Sequence, residues 1–310
     1  MPSSLNKEIL IIILNWNGLN DTLACLHSLK KVKSPRFDCL VVDNNSLINP
    51  ETEIKNHFPE IVFFRLDDNR GFAGGNNVGI DYAIKNNYKY ILLLNNDTIV
   101  DTDFLNPLVD TLEKNEQIKM VQPLIYNYEN NNKTQTIWNA GGKWNTWIGD
   151  ALTCKKISTN SINNHFKSDW LSGCALLIKT SEIVNLGGLN EKMFAYYEDV
   201  DLSFKMNRNG NALAMVPKSL IYHKANSSVN NDSSFKSKEG SLNPLVHFWN
   251  ARNRIWVIKK YQPWYFLPFN AVSILFYYSL LLCYFLIRGR FAKFNATLKG
   301  LWQGLSQSMD

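Results

Sequence analysis

The chain has few of the features that mark small or specialised protein classes. Its five cysteines are odd in number and show no CxxC or CxxH spacing among 310 residues. A disulfide framework is therefore not indicated, and free thiols in a reducing compartment are expected. Charged residues make up 19% of the chain, below the roughly 25% of an average protein. The 45% hydrophobic share and the length allow a full core, which excludes wholesale disorder and collagen-like structure.

Acidic residues are nearly absent from the C-terminal part of the chain. From Arg252 onward there are eight basic residues and only Asp310 is acidic, whereas residues 1–251 carry 25 basic and 26 acidic residues. The total of +6 therefore comes from one end of a near-neutral body. This distribution favours contact with an anionic surface at that end and argues against a protein that coats nucleic acid.

No long hydrophobic run occurs near the N-terminus. The run at 9–14 has six residues, which is too short for the core of a signal peptide and predicts a buried strand. Similar runs occur at 39–43, 61–66 and 90–94, with helical patterns near 20–30, 50–57 and 76–86 between them. This alternation predicts an α/β fold whose parallel sheet is covered on both faces.

Polar residues follow each of these four runs. They are Asn15 and Asn17, then Asp43 and Asn45, then Arg70 and Gly71, and finally Asn95, Asn96 and Asp97. Turn formation explains Asn, Asp and Gly at any single strand end. Ligands of parallel α/β sheets bind at this edge, so four such ends in a row predict a polar ligand site.

The second half of the chain is less regular. Residues 121–179 predict hairpins and polar loops, with 127–136 and 155–168 expected to be mobile and a buried strand at 170–179. A helix is predicted at 198–209 and a strand at 212–216. The Ser- and Asn-rich segment 226–241 has no apolar periodicity and is expected to be a flexible loop.

Six segments, in this order, give the sequence a family resemblance. They are IIILNWNG (11–18), VVDNNS (41–46), NRGFAGGNNVG (69–79), LLLNND (92–97), WLSGCALLI (170–178) and GGLNEKMFAYYEDVDLSFKMNRNG (187–210). Over about residues 8–260 the chain resembles family 2 glycosyltransferases, in particular their bacterial rhamnosyltransferase-like branch. The resemblance implies a GT-A fold, with a Rossmann-like, mostly parallel central sheet and flanking helices. It also implies a nucleotide-binding half (1–100), an acceptor and catalytic half (101–260), and inversion at the anomeric carbon.

The resemblance also implies a divalent cation, Mg²⁺ or Mn²⁺. Asp97 follows an apolar strand and offers the hard oxygen that these ions prefer. Family members often carry Asp-x-Asp here, whereas this chain has Asn95-Asn96-Asp97, so one carboxylate remains. His223 lies where similar enzymes supply an imidazole to the metal, although a lone histidine is more often structural.

By resemblance, further residues hold the donor and acceptor. Asp43 would bind the uracil or thymine edge, with Asn15 and Asn17 beside it, and glycines would let the backbone approach ribose and diphosphate. GFAGG differs from GxGxxG and follows the third strand, which disfavours a dinucleotide fold. Arg252 would reach an anionic group, although a solvated helix face explains it as well. The full expected binding set is Asn15, Asn17, Asp43, Asn45, Arg70, Gly71, Gly74, Gly75, Asn76, Asn95, Asn96, Trp170, Gly173 and Arg252.

Acidic residues open the helix predicted at 198–209. By resemblance Asp199 is the base that removes the proton of the acceptor hydroxyl, and Glu198 lies beside it as a second catalytic residue. Acidic residues in a first turn also complement the helix dipole. Helical spacing predicts that Glu198 shares a face with Asp201 while Asp199 points elsewhere.

Residues 261–310 form a separate C-terminal segment. The stretch 261–287 carries no charge and is bracketed by basic residues. It is long enough to span a bilayer, yet the basic flanks on both sides suit an in-plane or re-entrant element. Apolar residues then recur at helical spacing, as in an interfacial helix. We expect this hydrophobic and amphipathic segment to attach the protein to the cytoplasmic face of the cell membrane. A buried core or homodimer helix is the alternative.

These observations lead to a functional hypothesis with open alternatives. The expected activity is transfer of a sugar from a dTDP- or UDP-sugar, with rhamnose from dTDP-rhamnose as the best candidate. The acceptor would be a hydroxyl of a cell-envelope glycan or a lipid-linked glycan. The alternatives are a polyprenyl-phosphate glycosyltransferase and a non-catalytic nucleotide-sugar-binding membrane module.

Overall fold

Four parallel strands form the first half of the sheet. The computed structural model describes residues 8–157, 165–224, 239 and 242–309. The strands β1 (Ile9–Asn15), β2 (Asp38–Asp43), β3 (Val62–Arg65) and β4 (Tyr90–Asn95) alternate with α1 (Leu19–Leu29), α2 (Glu51–His57) and α3 (Gly71–Lys85). They lie in the order β3-β2-β1-β4, each parallel to its neighbour. The predicted α/β fold and the parallel arrangement of this half are confirmed.

The second half of the sheet mixes strand directions. Its elements are β5 (Thr98–Val100), α4 (Leu105–Lys114), β6 (Ile118–Glu129), β7 (Asn132–Asn139), β8 (Gly142–Asn145), β9 (Asp150–Thr153), β10 (Phe166–Lys167), β11 (Ala175–Lys179), α5 (Thr180–Asn185), α6 (Glu198–Arg208) and β12 (Ala212–His223). Strand β11 is antiparallel to both β4 and β6, and β12 is parallel to β6. The order across the described residues is therefore β10-β12-β6-β11-β4-β1-β2-β3.

Side-chain alternation along β1 fills a core on each face of the sheet. Ile9, Ile11 and Ile13 pack with apolar residues of α1, α2 and α4. Leu10 and Ile12 point to the opposite face, where α3, α5 and α6 cover them. Successive strand residues face opposite sides, so a continuous apolar run marks a strand that is buried on both faces.

Several predicted elements differ from the observed ones. Residues 127–136, expected to be mobile, form the hairpin of β6 and β7, whose turn residues Asn130 and Asn131 have φ of 51° and 59°. Asn tolerates this left-handed region, which two-residue hairpins require. The strand expected at 170–179 begins only at Ala175, and the strand expected at 212–216 continues to His223. Of the segment expected to be mobile at 155–168, residues 158–164 lie outside the described residues, whereas Phe166–Lys167 form β10 and pair with β12. The flexible segment expected at 226–241 lies almost entirely outside them.

Helix α3 begins five residues earlier than expected and so includes the glycine-rich motif. A Cβ on Gly74 would lie 2.7 Å from the Cβ of Arg70, and one on Gly75 would lie 2.4 Å from Leu14. These glycines therefore allow close packing at the start of α3. Neither belongs to the lining of the cavity described below, and their approach to ribose and diphosphate stays a prediction.

Three helices follow the sheet: α7 (Pro244–Tyr261), α8 (Leu267–Ile287) and α9 (Phe291–Ser306). Helix α9 crosses α7 closely, since a Cβ on Gly300 would lie 2.4 Å from the carbonyl oxygen of Phe248. Within the described ranges, one helical stretch, Trp264–Ile287, could cross a membrane by length and composition alone. The apolar helix is thus present as predicted, and the domain division at residue 260 stays a prediction.

Candidate active site

A cavity of about 910 Å³ lies at the carboxyl ends of β1 and β4. Its volume is within the usual range of small-molecule sites, about 300–1,000 Å³. Both halves of the chain line it: Trp16, Asn44, Asn69, Gly71, Phe72, Asn95, Asn96 and Asp97 from the first, and Trp138, Trp170, Ser172, Gly173, Cys174, Phe194, Tyr196, Glu198, Asp199, His223 and Trp249 from the second. The strand edge that the sequence singled out therefore contributes one wall of this cavity.

Asp97 and His223 come together from positions far apart in the chain. Asp97 immediately precedes β5, and β5 pairs with the end of β12 so that His223 faces Thr98. This pairing brings Oδ1 of Asp97 within 3.0 Å of Nε2 of His223, with both side chains buried. Burial lowers the pKa of His223, but the neighbouring Cys174 thiol and the Asp97 carboxylate outweigh it, so this pKa lies well above its ordinary value.

The chemistry of this pair decides whether a cation fits. No group of three or more His, Cys, Asp or Glu side chains that could hold a metal ion occurs within the described part of the chain. Asp97 and His223 nevertheless supply a hard carboxylate oxygen and an imidazole nitrogen at one point of the cavity wall. Two protein ligands suffice for Mg²⁺ when substrate phosphates and water complete the shell. The residues therefore fit a divalent cation that is held jointly with a diphosphate.

The expected base-binding residues tie strand ends together. The amide of Asn15 donates to Oδ1 of Asp43 at 2.7 Å and to Ser46, while Arg65 donates to Oδ2 of Asp43 at 3.1 Å. Asn15 and Asp43 are fully buried and absent from the cavity lining. Asn17 accepts from the backbone N–H of Leu47, outside the cavity lining as well. Their binding of a base stays a prediction, and their observed contacts fix the ends of β1, β2 and β3.

Four other expected residues also point away from the cavity. The amide of Asn45 donates to the carbonyl of Asp67, and that of Asn76 donates to the carbonyl of Phe72. The guanidinium of Arg70 contacts Asp68 at the surface. Arg252 is buried and donates to the carbonyl oxygens of Lys192 and Met193. Contrary to expectation, the guanidinium of Arg252 is thus committed to the backbone and not directed at an anionic ligand.

Five of the expected binding residues do line the cavity. They are Gly71, Asn95, Asn96, Trp170 and Gly173. The amide of Asn96 donates to Thr22 at 3.0 Å, which braces the loop after β1. The indole Nε1 of Trp170 is buried and has no hydrogen-bond partner.

The two acidic residues at the start of α6 both face the cavity. Oδ2 of Asp199 accepts the N–H of Gly173 at 2.9 Å, and its Oδ1 accepts the N–H of Val200 at 2.8 Å. Asp201 lies outside the lining and binds Tyr261 and Lys205. Glu198 is the first residue of α6, and the charge of Asp201 contributes to the raised pKa of Glu198. The prediction that these two share a helical face stays a prediction, but the cavity is lined by Glu198 together with Asp199.

Burial gives the two carboxyl groups different pKa values. Desolvation and the charge of Asp199 raise the pKa of Glu198 well above its usual range, and Oε2 of Glu198 is buried without a partner. Desolvation also raises the pKa of Asp199, but the N–H groups of Gly173 and Val200 oppose this by stabilising the anion. Within the pair, a proton is therefore favoured on Glu198 over Asp199.

Two hydrogen bonds connect β4, the strand before Asp97, to helix α6. The backbone N–H of Asn95, at the end of β4, donates to the carbonyl of Cys174 at 2.9 Å. The adjacent Gly173 donates to Asp199. Residues 173–174 are thus bonded on one side to the strand that precedes Asp97 and on the other side to the expected base.

The segment before α6 has an unusual backbone that the sequence reading missed. Phe194, Tyr196 and Tyr197 have φ of 63°, 69° and 67°, a left-handed conformation that costs a bulky residue about 1 kcal/mol or more. The fully buried Asn253 holds it, donating to the carbonyl oxygens of Met193, Ala195 and Tyr196 at 3.0, 3.0 and 2.7 Å. The segments MFAYYED and WNARNR are visible in the sequence, but no local pattern indicates this contact between them.

Aromatic side chains form part of the cavity wall beside this segment. The rings of Phe194 and Trp249 stack with centroids 4.7 Å apart and an interplanar angle of 20°. Next to the Asp97–His223 pair, the ring of Trp138 lies edge-on to that of His223, with centroids 4.4 Å apart. The cavity therefore combines apolar ring faces with a few convergent polar groups, as ligand sites usually do.

Known proteins resemble this chain in sequence. The chain matches the family model described as Glycosyl transferase family 2 over residues 10–171. It is 26% identical over 206 residues to the low-salt glycan biosynthesis hexosyltransferase Agl10 of Haloferax volcanii, which covers 65% of this chain and 62% of Agl10. The chain spans between 53% and 62% of the length of the first curated relatives that it matches.

Solved structures resemble it in fold. GalNAc-T7, solved with UDP, GalNAc and Mn²⁺, has a TM-score of 0.59 at 19% identity, covering 71% of this chain and 44% of that one. Mannosyltransferase PcManGT of Pyrobaculum calidifontis, solved with GDP-Man and Mn²⁺, has a TM-score of 0.57 at 12% identity, covering 98% and 88%. Likeness at these identities establishes the GT-A fold, as predicted, and nothing about substrate.

Proposed function

The chain belongs to glycosyl transferase family 2, and on this premise we propose that it is an inverting, metal-dependent glycosyltransferase. It moves a sugar from a nucleotide-sugar donor to a hydroxyl group of a glycan. The single observation that carries the proposal is that one cavity contains both the Asp97–His223 pair and the Asp199 carboxylate. GalNAc-T7 binds UDP with Mn²⁺, PcManGT binds GDP-Man with Mn²⁺, and Agl10 is a hexosyltransferase of glycan biosynthesis, which supports the same substrate class.

The chemistry assigned to the cavity is one in-line displacement. The acceptor hydroxyl oxygen attacks C1 of the donor sugar from the face opposite the nucleotide, and the bond between C1 and the diphosphate oxygen breaks with its electron pair on the diphosphate. Asp97 and His223 would hold a divalent cation, and such a cation would supply positive charge beside the departing diphosphate. The hydroxyl proton passes to Asp199, and such general base catalysis contributes about 10²- to 10⁴-fold.

Three neighbours prepare Asp199 for this role. The N–H groups of Gly173 and Val200 orient its carboxylate and oppose the desolvation that raises its pKa. Burial and the charge of Asp199 raise the pKa of Glu198 further, which favours a protonated Glu198 as a hydrogen-bond donor to substrate beside the base. In general, when two neighbouring carboxyl groups have different pKa values, the one with the higher pKa serves as the acid and the other as the base.

The finer features of the donor and acceptor are also proposals. Rhamnose from dTDP-rhamnose is our best candidate, with a UDP-sugar next, on the resemblance of the sequence segments alone. The acceptor is proposed to be a cell-envelope or lipid-linked glycan. Five free cysteines and the need for a nucleotide-sugar donor support a cytoplasmic site of action.

A panel of dTDP-, UDP- and GDP-sugars tests this function. Binding and release of nucleotide are measured with and without Mn²⁺, for the wild type and for Asp199→Asn. We expect one donor to bind in both proteins and metal-dependent release in the wild type alone. Binding without release by the wild type, with every acceptor glycan supplied, would instead support a non-catalytic nucleotide-sugar-binding module.

A further inference from the structure

The C-terminal helices α8 and α9 expose a broad apolar face. On α8 the exposed large apolar residues are Leu267, Phe269, Val272, Leu275, Phe276, Tyr277, Leu280, Tyr284, Leu286 and Ile287. On α9 they are Phe291, Leu298, Trp302 and Leu305. Leu275 and Trp302 are each 70% exposed, although soluble proteins rarely leave such contiguous apolar surface uncovered.

The opposite face of α8 is fixed to the body of the protein along most of the helix. Near its start, the amide of Asn270 donates to the carbonyl oxygens of Thr146 and Trp147. Tyr278 is buried in the middle of the helix, and Phe285 is buried near its end against the ring of His247 at 4.9 Å. These three residues are eight and seven positions apart and so lie on one helical face.

This attachment determines how α8 can meet a bilayer. The stretch from Asn270 to Phe285 rises about 22 Å along the helix axis, and body residues contact it at both ends. A spanning α8 would draw those body residues, including the polar backbone of 146–147, into the hydrocarbon core, where unpaired backbone groups are costly. An α8 that lies parallel to the surface buries only its exposed face.

The charge and residue types around the face identify its partner. From Arg252 to Met309 there are eight basic residues and no acidic ones. Arg252, Arg254 and Lys293 are buried, but Lys259, Arg288 and Lys299 are exposed, which suits an anionic surface. Arg288 and Lys299 lie beside the apolar residues. The exposed Trp264, Tyr265 and Trp302 are of the types that concentrate at membrane interfaces.

We propose that the apolar face of α8 and α9 docks in the plane of an anionic membrane leaflet, with α8 parallel to the surface. The start of α7 lines the cavity through Val246 and Trp249, and the intervening His247 packs on Phe285 of α8. The cavity therefore lies beside the docked face. This step rests on the proposed function. With the cavity in this position, the acceptor class is a glycan anchored in the same leaflet.

Vesicle flotation of the full chain tests the docking surface without requiring turnover. The wild type is expected to float with vesicles of phosphatidylcholine and phosphatidylglycerol, and less with phosphatidylcholine alone or in high salt. Leu275→Glu and Trp302→Glu should each lower partitioning by about tenfold. Ile48→Glu, which changes an 82% exposed apolar residue between β2 and α2, is the matched control and should float like the wild type. Thermal unfolding confirms that each variant is folded.

Labelling the two ends of α8 tests its orientation. In a Cys283→Ser background, a cysteine replaces either Trp264 or Arg288, and the protein is bound to preformed vesicles. A membrane-impermeant maleimide added outside should label both positions, relative to the parent without the new cysteine. Protection of one position until detergent is added would show a spanning helix and overturn the in-plane proposal.

Two further outcomes would overturn the proposal. One is a wild-type protein that stays soluble and does not float with either vesicle. The other is a dimer in ultracentrifugation that Leu275→Glu dissociates while vesicles bind neither protein, which would assign the face to a second copy of the chain. Neither outcome bears on sugar transfer, so failure of the docking surface is distinguishable from failure of the proposed activity.

Discussion

Removing the side chain of Asn253 should displace the segment that precedes α6. The two N–H bonds of its amide are shared among the carbonyl groups of Met193, Ala195 and Tyr196. At about 0.5–1.5 kcal/mol for each of two net hydrogen bonds, Asn253→Ala should lower the free energy of unfolding by about 1–3 kcal/mol. The left-handed residues that the amide holds would then relax towards ordinary backbone conformations.

Relaxation of this segment moves the start of α6 and with it Asp199. If the displaced conformation becomes favoured by only about 1.4 kcal/mol, roughly a tenth of the molecules keep the native geometry. We therefore expect kcat to fall by at least about tenfold. KM for the donor should change by less than kcat, because Asp97 and His223 are held together by the pairing of β5 with β12 and not by this segment.

Two variants separate hydrogen bonding from packing. Asn253→Asp keeps the size of the side chain but cannot donate from an ionised carboxylate, so it should lose kcat like Asn253→Ala. Asn207→Ala removes a comparable amide that donates to the single carbonyl of Asp169 at the surface, and it should behave like the wild type. Steady-state kinetics and thermal unfolding of all three supply the measurements. Wild-type kcat in a folded Asn253→Asp would refute the reasoning.

The remaining predictions concern the carboxyl groups and the cation. Asp199→Asn should abolish transfer and spare donor binding by calorimetry; loss of both together would count against its role as base. The pKa of Glu198 is raised in the folded state, so its stabilising contribution is full below the unfolded-chain value of about 4.3 and is lost as the pH rises. Glu198→Gln has no proton to lose, so its melting temperature should exceed that of the wild type at about pH 8 and converge with it near about pH 4. A difference in melting temperature that does not vary with pH would contradict the raised pKa of Glu198. Chelation with EDTA should stop nucleotide release until Mn²⁺ or Mg²⁺ is restored. Both Asp97→Asn and His223→Ala should raise the concentration of metal needed for half-maximal rate. An unchanged metal requirement in both variants would exclude Asp97 and His223 as ligands.

The first half of the fold is readable from the sequence because its signals are local. The apolar run at 9–14 must be buried on both faces of a sheet, and the polar residues that follow such runs reach one edge together. Asp97 and Asp199 were singled out from the resemblance of their segments. Their meeting in one cavity could not be read from periodicity, since it depends on the pairing of β12 with β5 and on the packing of α6.

The predictions that differ from the structure do so because the deciding contacts are distant in sequence. The Asn-rich 127–136 looks like a loop, yet pairing with the rest of the sheet orders it as a hairpin. Arg252 looks like a free cation, but its partners are carbonyl oxygens of a segment 59 and 60 residues away. Helix spacing separates Asp199 from Glu198, yet both line the cavity because the cavity borders the first turn of α6.

The bridge formed by residues 173–174 sets the spacing between the end of β4 and Asp199. It does so through the backbone N–H of Asn95, the carbonyl of Cys174 and the backbone N–H of Gly173, in two contacts of 2.9 Å. Because these are main-chain groups, the spacing does not depend on which side chains occupy positions 95 and 174. Substitutions there can alter the surface that meets the ligand while the reacting groups keep their separation.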